Sequence, residues 1–206
     1  EAATSAYGHG TLASVITHKT LELGLADQSI DPSRLGAVVM IQCVESREAG
    51  KKEYCSRICC VSALKNALRL KQANPDMSIC IFYRDMTAYG FFEQYYTLAR
   101  KNDILFIRYE PDRKPVVEER DGKTVVAGYE PIIGRNMEIE ADLVVLAPGV
   151  SPVLPESLAA HFGVERDGFG FFQEAERKWR PVDALKEGVF ASGLCHSPRN
   201  IAETVA

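Results

Sequence analysis

The chain has 206 residues, a formal net charge of −4 and 46% hydrophobic residues, a balance that gives no electrostatic footing for nucleic acid or an anionic membrane surface. No apolar run approaches the roughly 20 residues of a membrane-spanning helix, and from the opening Glu1-Ala2-Ala3-Thr4 no secretory leader is expected. The six cysteines therefore read as metal-binding or redox groups in a reducing compartment, and not as a disulfide framework.

In chain order, a glycine-rich start (Ala6 to Gly10) precedes a short helix at Leu21 to Leu25, and Asp31-Pro32-Ser33 turns the chain into an apolar strand, Ala37–Ile41. A helix is predicted from about Tyr54 to Gln72, with Ile58, Val61, Leu64 and Leu68 as its apolar stripe, stopped by Asn74-Pro75-Asp76. Ser78–Tyr83 is a second buried strand, Phe91–Arg100 a second helix and Ile104–Tyr109 a third strand. Strand–helix alternation of this kind predicts right-handed crossovers and a parallel sheet.

The middle changes period. Val116–Glu119, Thr124–Tyr129 and Met137–Leu146 alternate as strands do, and Asp121-Gly122 is a hairpin signal between the first two. A short helix at Pro155–His161 and a strand at Gly188–Gly193 follow, and a final helix begins near Ile201. The absent initiator Met and the ending in mid-helix pattern at Ala206 suggest a piece of something longer.

Cys43, Cys55, Cys59 and Cys60 form a C-x11-C-x3-C-C pattern, and four thiolates are the ligand count of either an iron–sulfur cluster or a tetrahedral zinc site. Cys43 closes the first strand, while Cys55, Cys59 and Cys60 are expected on the opening of the helix, with Cys55 and Cys59 one turn apart. A strand end feeding a helix start is where an α/β sheet binds anions. No G-x-G-x-x-G follows this strand: Gln42-Cys43-Val44-Glu45 replaces the tight glycine turn, so no nicotinamide nucleotide is expected to bind. Cys80 sits in mid-strand as a core residue, and Cys195 reads as a spectator thiol in a loop. Arg47 and Arg57 flank the cysteines, and His196 belongs to no ligand pattern.

Val39-Met40-Ile41-Gln42-Cys43-Val44-Glu45-Ser46-Arg47, then Tyr54-Cys55-Ser56-Arg57-Ile58-Cys59-Cys60 and Lys65, resemble the signature of the heterodisulfide reductase A subunits and their relatives. Ile81-Phe82-Tyr83-Arg84-Asp85-Met86, Asp142–Ala147 and the tail Pro198–Ala206 support the match. The resemblance implies a thioredoxin-reductase-like α/β fold, a Rossmann-type dinucleotide-binding domain with a parallel sheet plus a β-meander. It also implies a [4Fe–4S] cluster on Cys43, Cys55, Cys59 and Cys60, and an FAD whose N5 edge is approached by Lys65. The organisation expected is a partial FAD-domain or linker segment (1–35), an NAD(P)-binding-like domain carrying the cysteines (36–147) and a return to the FAD-binding domain (148–206).

Two departures stand out. Glu45 occupies a position where the family reads Gly, which makes a positive φ costly there. Thr20 stands where an acidic residue near the flavin is common, which argues against strict electron bifurcation. Of the flavin site, the resemblance assigns Gly193, Leu194, Cys195, Pro198 and Ile201 to the returning segment. The first dinucleotide fingerprint is expected ahead of Glu1, so the fragment alone is expected to purify without FAD and to be inactive. The resulting expectation is a cytoplasmic electron-transfer subunit, soluble or peripheral to a membrane complex, relaying electrons between FAD and iron–sulfur partner subunits. Two alternatives stand beside it: a Qmo-type quinone-interacting subunit coupled to adenylylsulfate reductase, and a zinc-stabilised interaction module without redox chemistry.

Overall fold

The apolar runs of the first half become one parallel sheet. In the computed structural model, which describes residues 1–176 and 178–205, the chain runs β1 (Val15–Thr17), α1 (His18–Ala26), β2 (Ala37–Ile41), α2 (Cys59–Ala73), β3 (Ser78–Tyr83), α3 (Glu93–Lys101) and β4 (Leu105–Arg108). An antiparallel meander follows, β5 (Val116–Arg120), β6 (Lys123–Glu130) and β7 (Arg135–Ala141), before β8 (Leu143–Leu146) re-enters the main sheet. The rest is α4 (Glu156–Phe162), a hairpin of β9 (Glu174–Glu176) and β10 (Arg180–Ala184), and α5 (Ile201–Val205). Ala206, the last residue of the tail pattern, lies outside the described residues.

The main sheet has strand order β1-β8-β2-β3-β4, every pairing parallel. Strands covered on both faces should be apolar throughout. Residues 38–41 and 143–146 are buried at every position, and residues 79–82 likewise. One face packs on α1, α2 and α3 through Met40, Leu64, Leu70, Ile81 and Val145. The other packs on the meander through Val39, Phe82, Val126 and Leu146. Gly128 lets β6 lie on Phe82, since a Cβ there would stand 2.4 Å from the ring.

Several boundaries differ from those the sequence predicts. The run Met137–Leu146 is two strands in two sheets, divided at Asp142, whose carboxylate accepts from the amides of Gly36 (2.7 Å) and Ala37 (2.9 Å). The first helix begins at His18, capped by the Thr17 side chain on the Thr20 amide. The cysteine helix begins at Cys59, not Tyr54, so Cys55 lies in the preceding loop and not one helical turn below Cys59. Its buried stripe is Cys60, Ala63, Leu64, Ala67 and Leu70, with Asn66 among them. Gly188–Gly193 forms no strand; Phe190 makes only an isolated bridge to Asp183.

Candidate functional site

The four cysteines meet at the carboxyl end of β2. Cys43 follows the strand, Cys55 stands in the loop, and Cys59 and Cys60 open α2; all four line one small cavity with Arg47, Arg57 and Asp85. None is in a disulfide. Among the described residues no three His, Cys, Asp or Glu side chains stand at the distances of a bound ion. The thiols thus share a cavity without converging on a single metal centre, which for zinc would lie about 2.3 Å from each sulfur.

The loop carrying them is conformationally expensive. Cys43 (φ 57°), Glu45 (51°), Arg47 (61°) and Arg57 (59°) all adopt left-handed backbone, a state that costs a non-glycine residue of order 1 kcal/mol or more and persists where surroundings enforce it. Glu45 therefore does take the positive φ that its side chain was expected to disfavour. Thr4 Oγ1 donates to its carboxylate at 2.8 Å, and Lys51 stands 3.5 Å away. Other contacts pin the same loop: the Val44 amide donates to Ala147 O (3.1 Å), Arg84 donates to the carbonyls of Ser46 and Arg47 (3.3 and 2.9 Å), and the Val150 amide donates to Ser56 Oγ (2.9 Å).

Electrostatics here follow from burial. Desolvation pushes the Cys59 thiol up to about 12 and Cys60 up to about 11, and the neighbouring thiols push the same way. Burial also raises Cys43, with the Arg47 guanidinium pulling in the opposite direction. At these values the Cys59 and Cys60 thiols are protonated near neutral pH unless a cation shares the cavity. Cys80 is buried in mid-sheet, away from the cage, as expected.

A second cavity, of about 230 Å³, opens beside Cys59 between α1, α2 and the chain after β8, and is lined by His18, Glu22, Cys59, Ser62 and Gly149 among others. Lys65 is half exposed and paired with Glu22 at 2.7 Å. Glu22 and Glu1 supply the carboxylates that line this cavity. Behind the Lys65–Glu22 pair lies a buried polar chain that sequence reasoning missed. Asn66 Nδ2 stands 3.3 Å from Glu22 Oε1 and 3.1 Å from His18 Nδ1, and His18 Nε2 stands 3.2 Å from the Gln42 amide nitrogen.

Both amides are fully buried. A neutral imidazole offers one donor and one acceptor. The Gln42 amide therefore turns its Oε1 to accept from His18 Nε2–H, while His18 Nδ1 accepts from Asn66. Desolvation lowers His18 to about 4, which keeps it neutral.

The positions assigned to the flavin segment lie apart from both cavities. Gly193 has a left-handed backbone (φ 66°), Leu194 and Ile201 are exposed, and Cys195 Sγ donates to Ser192 O at 2.9 Å. Pro198 lies in the turn ahead of α5. Their neighbours Ser192, His196, Ser197, Arg199 and Thr204 line a cavity of about 470 Å³ instead, in which the buried His196 pairs with Glu174.

No protein-family model matches the chain. It is 39% identical over 217 residues to the iron-sulfur A subunit of the CoB–CoM heterodisulfide reductase of Methanocaldococcus jannaschii, a match that covers 97% of this chain and 32% of that one. It is 35% identical over 184 residues to the ferredoxin:CoB-CoM heterodisulfide reductase A subunit of Methanosarcina acetivorans, covering 88% of this chain and 23% of that one. The chain thus spans a third or less of the length of these relatives. In structure it is similar to T. acidophilum thioredoxin reductase (TM-score 0.55, 17% identity, 93% of this chain and 53% of that one). It is also similar to the HOCl-induced flavoprotein disulfide reductase RclA from Escherichia coli (TM-score 0.55, 11% identity, 95% and 38%). These likenesses establish the fold as thioredoxin-reductase-like.

Proposed function

We propose that this chain, a relative of the heterodisulfide reductase A subunits, is an electron-transfer module of a flavin- and iron–sulfur-dependent oxidoreductase, with Cys43, Cys55, Cys59 and Cys60 as the ligands of a [4Fe–4S] cluster. The observation that carries this reading is the gathering of four thiols, none in a disulfide, round one cavity by a strand end, a loop and a helix start. The donor set fits: each thiolate of such a cluster binds its own iron, so the four need a shared cavity and not a common point. When bound, the cluster supplies one-electron transfer, and a flavin beside it supplies the exchange between one- and two-electron chemistry.

Around the cage the chain's own residues have separate tasks. Arg47 offsets thiolate charge at Cys43, Arg57 lines the same cavity, and the burial of Cys60 excludes water from the ligand set. Lys65 pairs with Glu22, which lines the cavity next to Cys59, and from there its cation would favour an anionic reduced acceptor. His18, Gln42 and Asn66 fix the orientation of that pair from behind. In this reading Gly193, Leu194, Cys195, Pro198 and Ile201 belong to the segment that closes over FAD, and partner subunits of a heterodisulfide-reductase-like complex exchange electrons with the cage.

Iron and acid-labile sulfide after anaerobic reconstitution test the proposal. The wild-type protein is expected to show broad visible absorption that bleaches on reduction. Cys59→Ser should lose it, because a neutral hydroxyl replaces a thiolate ligand, and Cys80→Ala should keep it. Equal iron and sulfide in the Cys59→Ser and wild-type proteins would overturn the ligand assignment, and zinc without sulfide would overturn the redox function.

A further inference from the structure

Arg57 stands between Cys55 and Cys59 on a left-handed backbone, and its amide lies 3.3 Å from Cys55 Sγ. Its guanidinium is held from a distance in sequence. It donates to a carboxylate oxygen of Glu203, 146 residues further along, and to the Tyr89 hydroxyl at 2.9 Å. Tyr89 in turn donates to that same Glu203 oxygen.

The carboxylate is itself fixed. Its second oxygen accepts from the Asn200 amide at 3.2 Å, and Asn200 Oδ1 accepts from the Glu203 amide at 2.9 Å, a reciprocal capping box with Asn as the cap. Little rotamer freedom is then left to lose when Arg57 docks, in contrast to an ordinary exposed ion pair between two mobile side chains. Across the cavity, Arg47 has its own carboxylate, Asp85, at 2.7 Å. Each arginine of the cage is thus matched by one acid, the first supplied by the tail and the second locally.

We infer that Glu203 is a positioning residue of the cysteine cage: through Arg57 it fixes the Cys55–Cys59 turn and sets how much guanidinium charge the thiolates feel. The inference rests on the cluster reading given above. A guanidinium freed from its carboxylate favours the more negative, reduced state of a redox group beside it.

The test is a spectroelectrochemical titration of the protein reconstituted anaerobically. Glu203→Gln keeps the shape and removes the charge; it is expected to retain iron and sulfide and to shift the cluster midpoint upward. Tyr89→Phe, which removes one donor to the same oxygen, should change the midpoint or speed iron loss to a chelator. Arg57→Gln should shift the midpoint downward, and the double variant should match Arg57→Gln alone, because Glu203 acts through Arg57. A midpoint and chelator-release rate unchanged in both Glu203→Gln and Tyr89→Phe would overturn the inference while leaving the cluster intact. A double variant that retains the full Glu203→Gln shift would overturn the route through Arg57. A wild-type protein without iron and sulfide would instead overturn the cluster reading, and this inference with it.

Discussion

Lowering the pH from 7 to 4.5 is expected to cost this fold roughly 2 kcal/mol at one side chain, His18. Desolvation holds its pKa at about 4 against an ordinary 6.5; Glu22 opposes the shift and Lys65 reinforces it. Because the folded value lies below the unfolded one, the unfolded chain takes up the proton first. The stability that neutral His18 contributes is complete above about pH 6.5 and is lost as the pH falls towards about 4. Between those two values the loss runs at about 1.4 kcal/mol for every pH step of one, and most of the interval has been crossed by pH 4.5. Urea midpoints at pH 7, 5.5 and 4.5 should be compared in wild type and His18→Gln, which keeps a donor and an acceptor and cannot titrate. Acid effects on the cysteines and carboxylates are common to both proteins and cancel. Wild type should lose about 2 kcal/mol more than the variant. Parallel losses would refute a buried neutral imidazole at this position.

Gly128→Ala should destabilise by about 1–3 kcal/mol, since its methyl would meet the Phe82 ring at 2.4 Å and that ring is fully buried; an unchanged urea midpoint would show that the meander can lift from the sheet. NADH and NADPH should give no measurable heat in calorimetry. The segment where a pyrophosphate would rest is Gln42-Cys43-Val44-Glu45, and the Tyr109 hydroxyl donates to the Gln42 carbonyl at 2.6 Å. A low-micromolar dissociation constant would contradict this.

The cysteine motif and the βαβαβ core are legible in the sequence because both rest on local pattern: four cysteines in eighteen residues, and apolar runs bounded by Pro, Asn and Gly. What escapes is set by tertiary context. Val15–Thr17 is three residues long and, among the described residues, pairs with β8 alone, so no periodicity marks it. The alternation from Met137 to Leu146 continues unbroken through Asp142, and period two does not reveal a change of sheet. The cage loop reads as helix because apolar and polar residues alternate suitably there, yet Arg57 is left-handed and the helix cannot begin before it. Of the buried relay, one signal is available: Asn66 stands three residues after Ala63 and four before Leu70, on the buried stripe, where an amide needs partners. His18 and Gln42 give none, since only the folded chain brings residues 18, 42 and 66 together.

The position of β8 has a consequence for biogenesis. It fills the gap between β1 and β2, so the centre of the sheet stays open until residues 143–146 have been synthesised, and β1 has no strand to pair with before then. The contacts that hold the cysteine loop come from the chain just beyond: Ala147 receives the Val44 amide, and Val150 receives the Tyr54 hydroxyl at 2.7 Å. Pairings this distant in sequence form late and slowly. A nascent chain that has exposed all four cysteines to the cell therefore still lacks the frame that holds them, and metal delivery has to wait for, or shield, an interval of about ninety residues of translation, roughly 4 to 20 seconds at ordinary elongation rates.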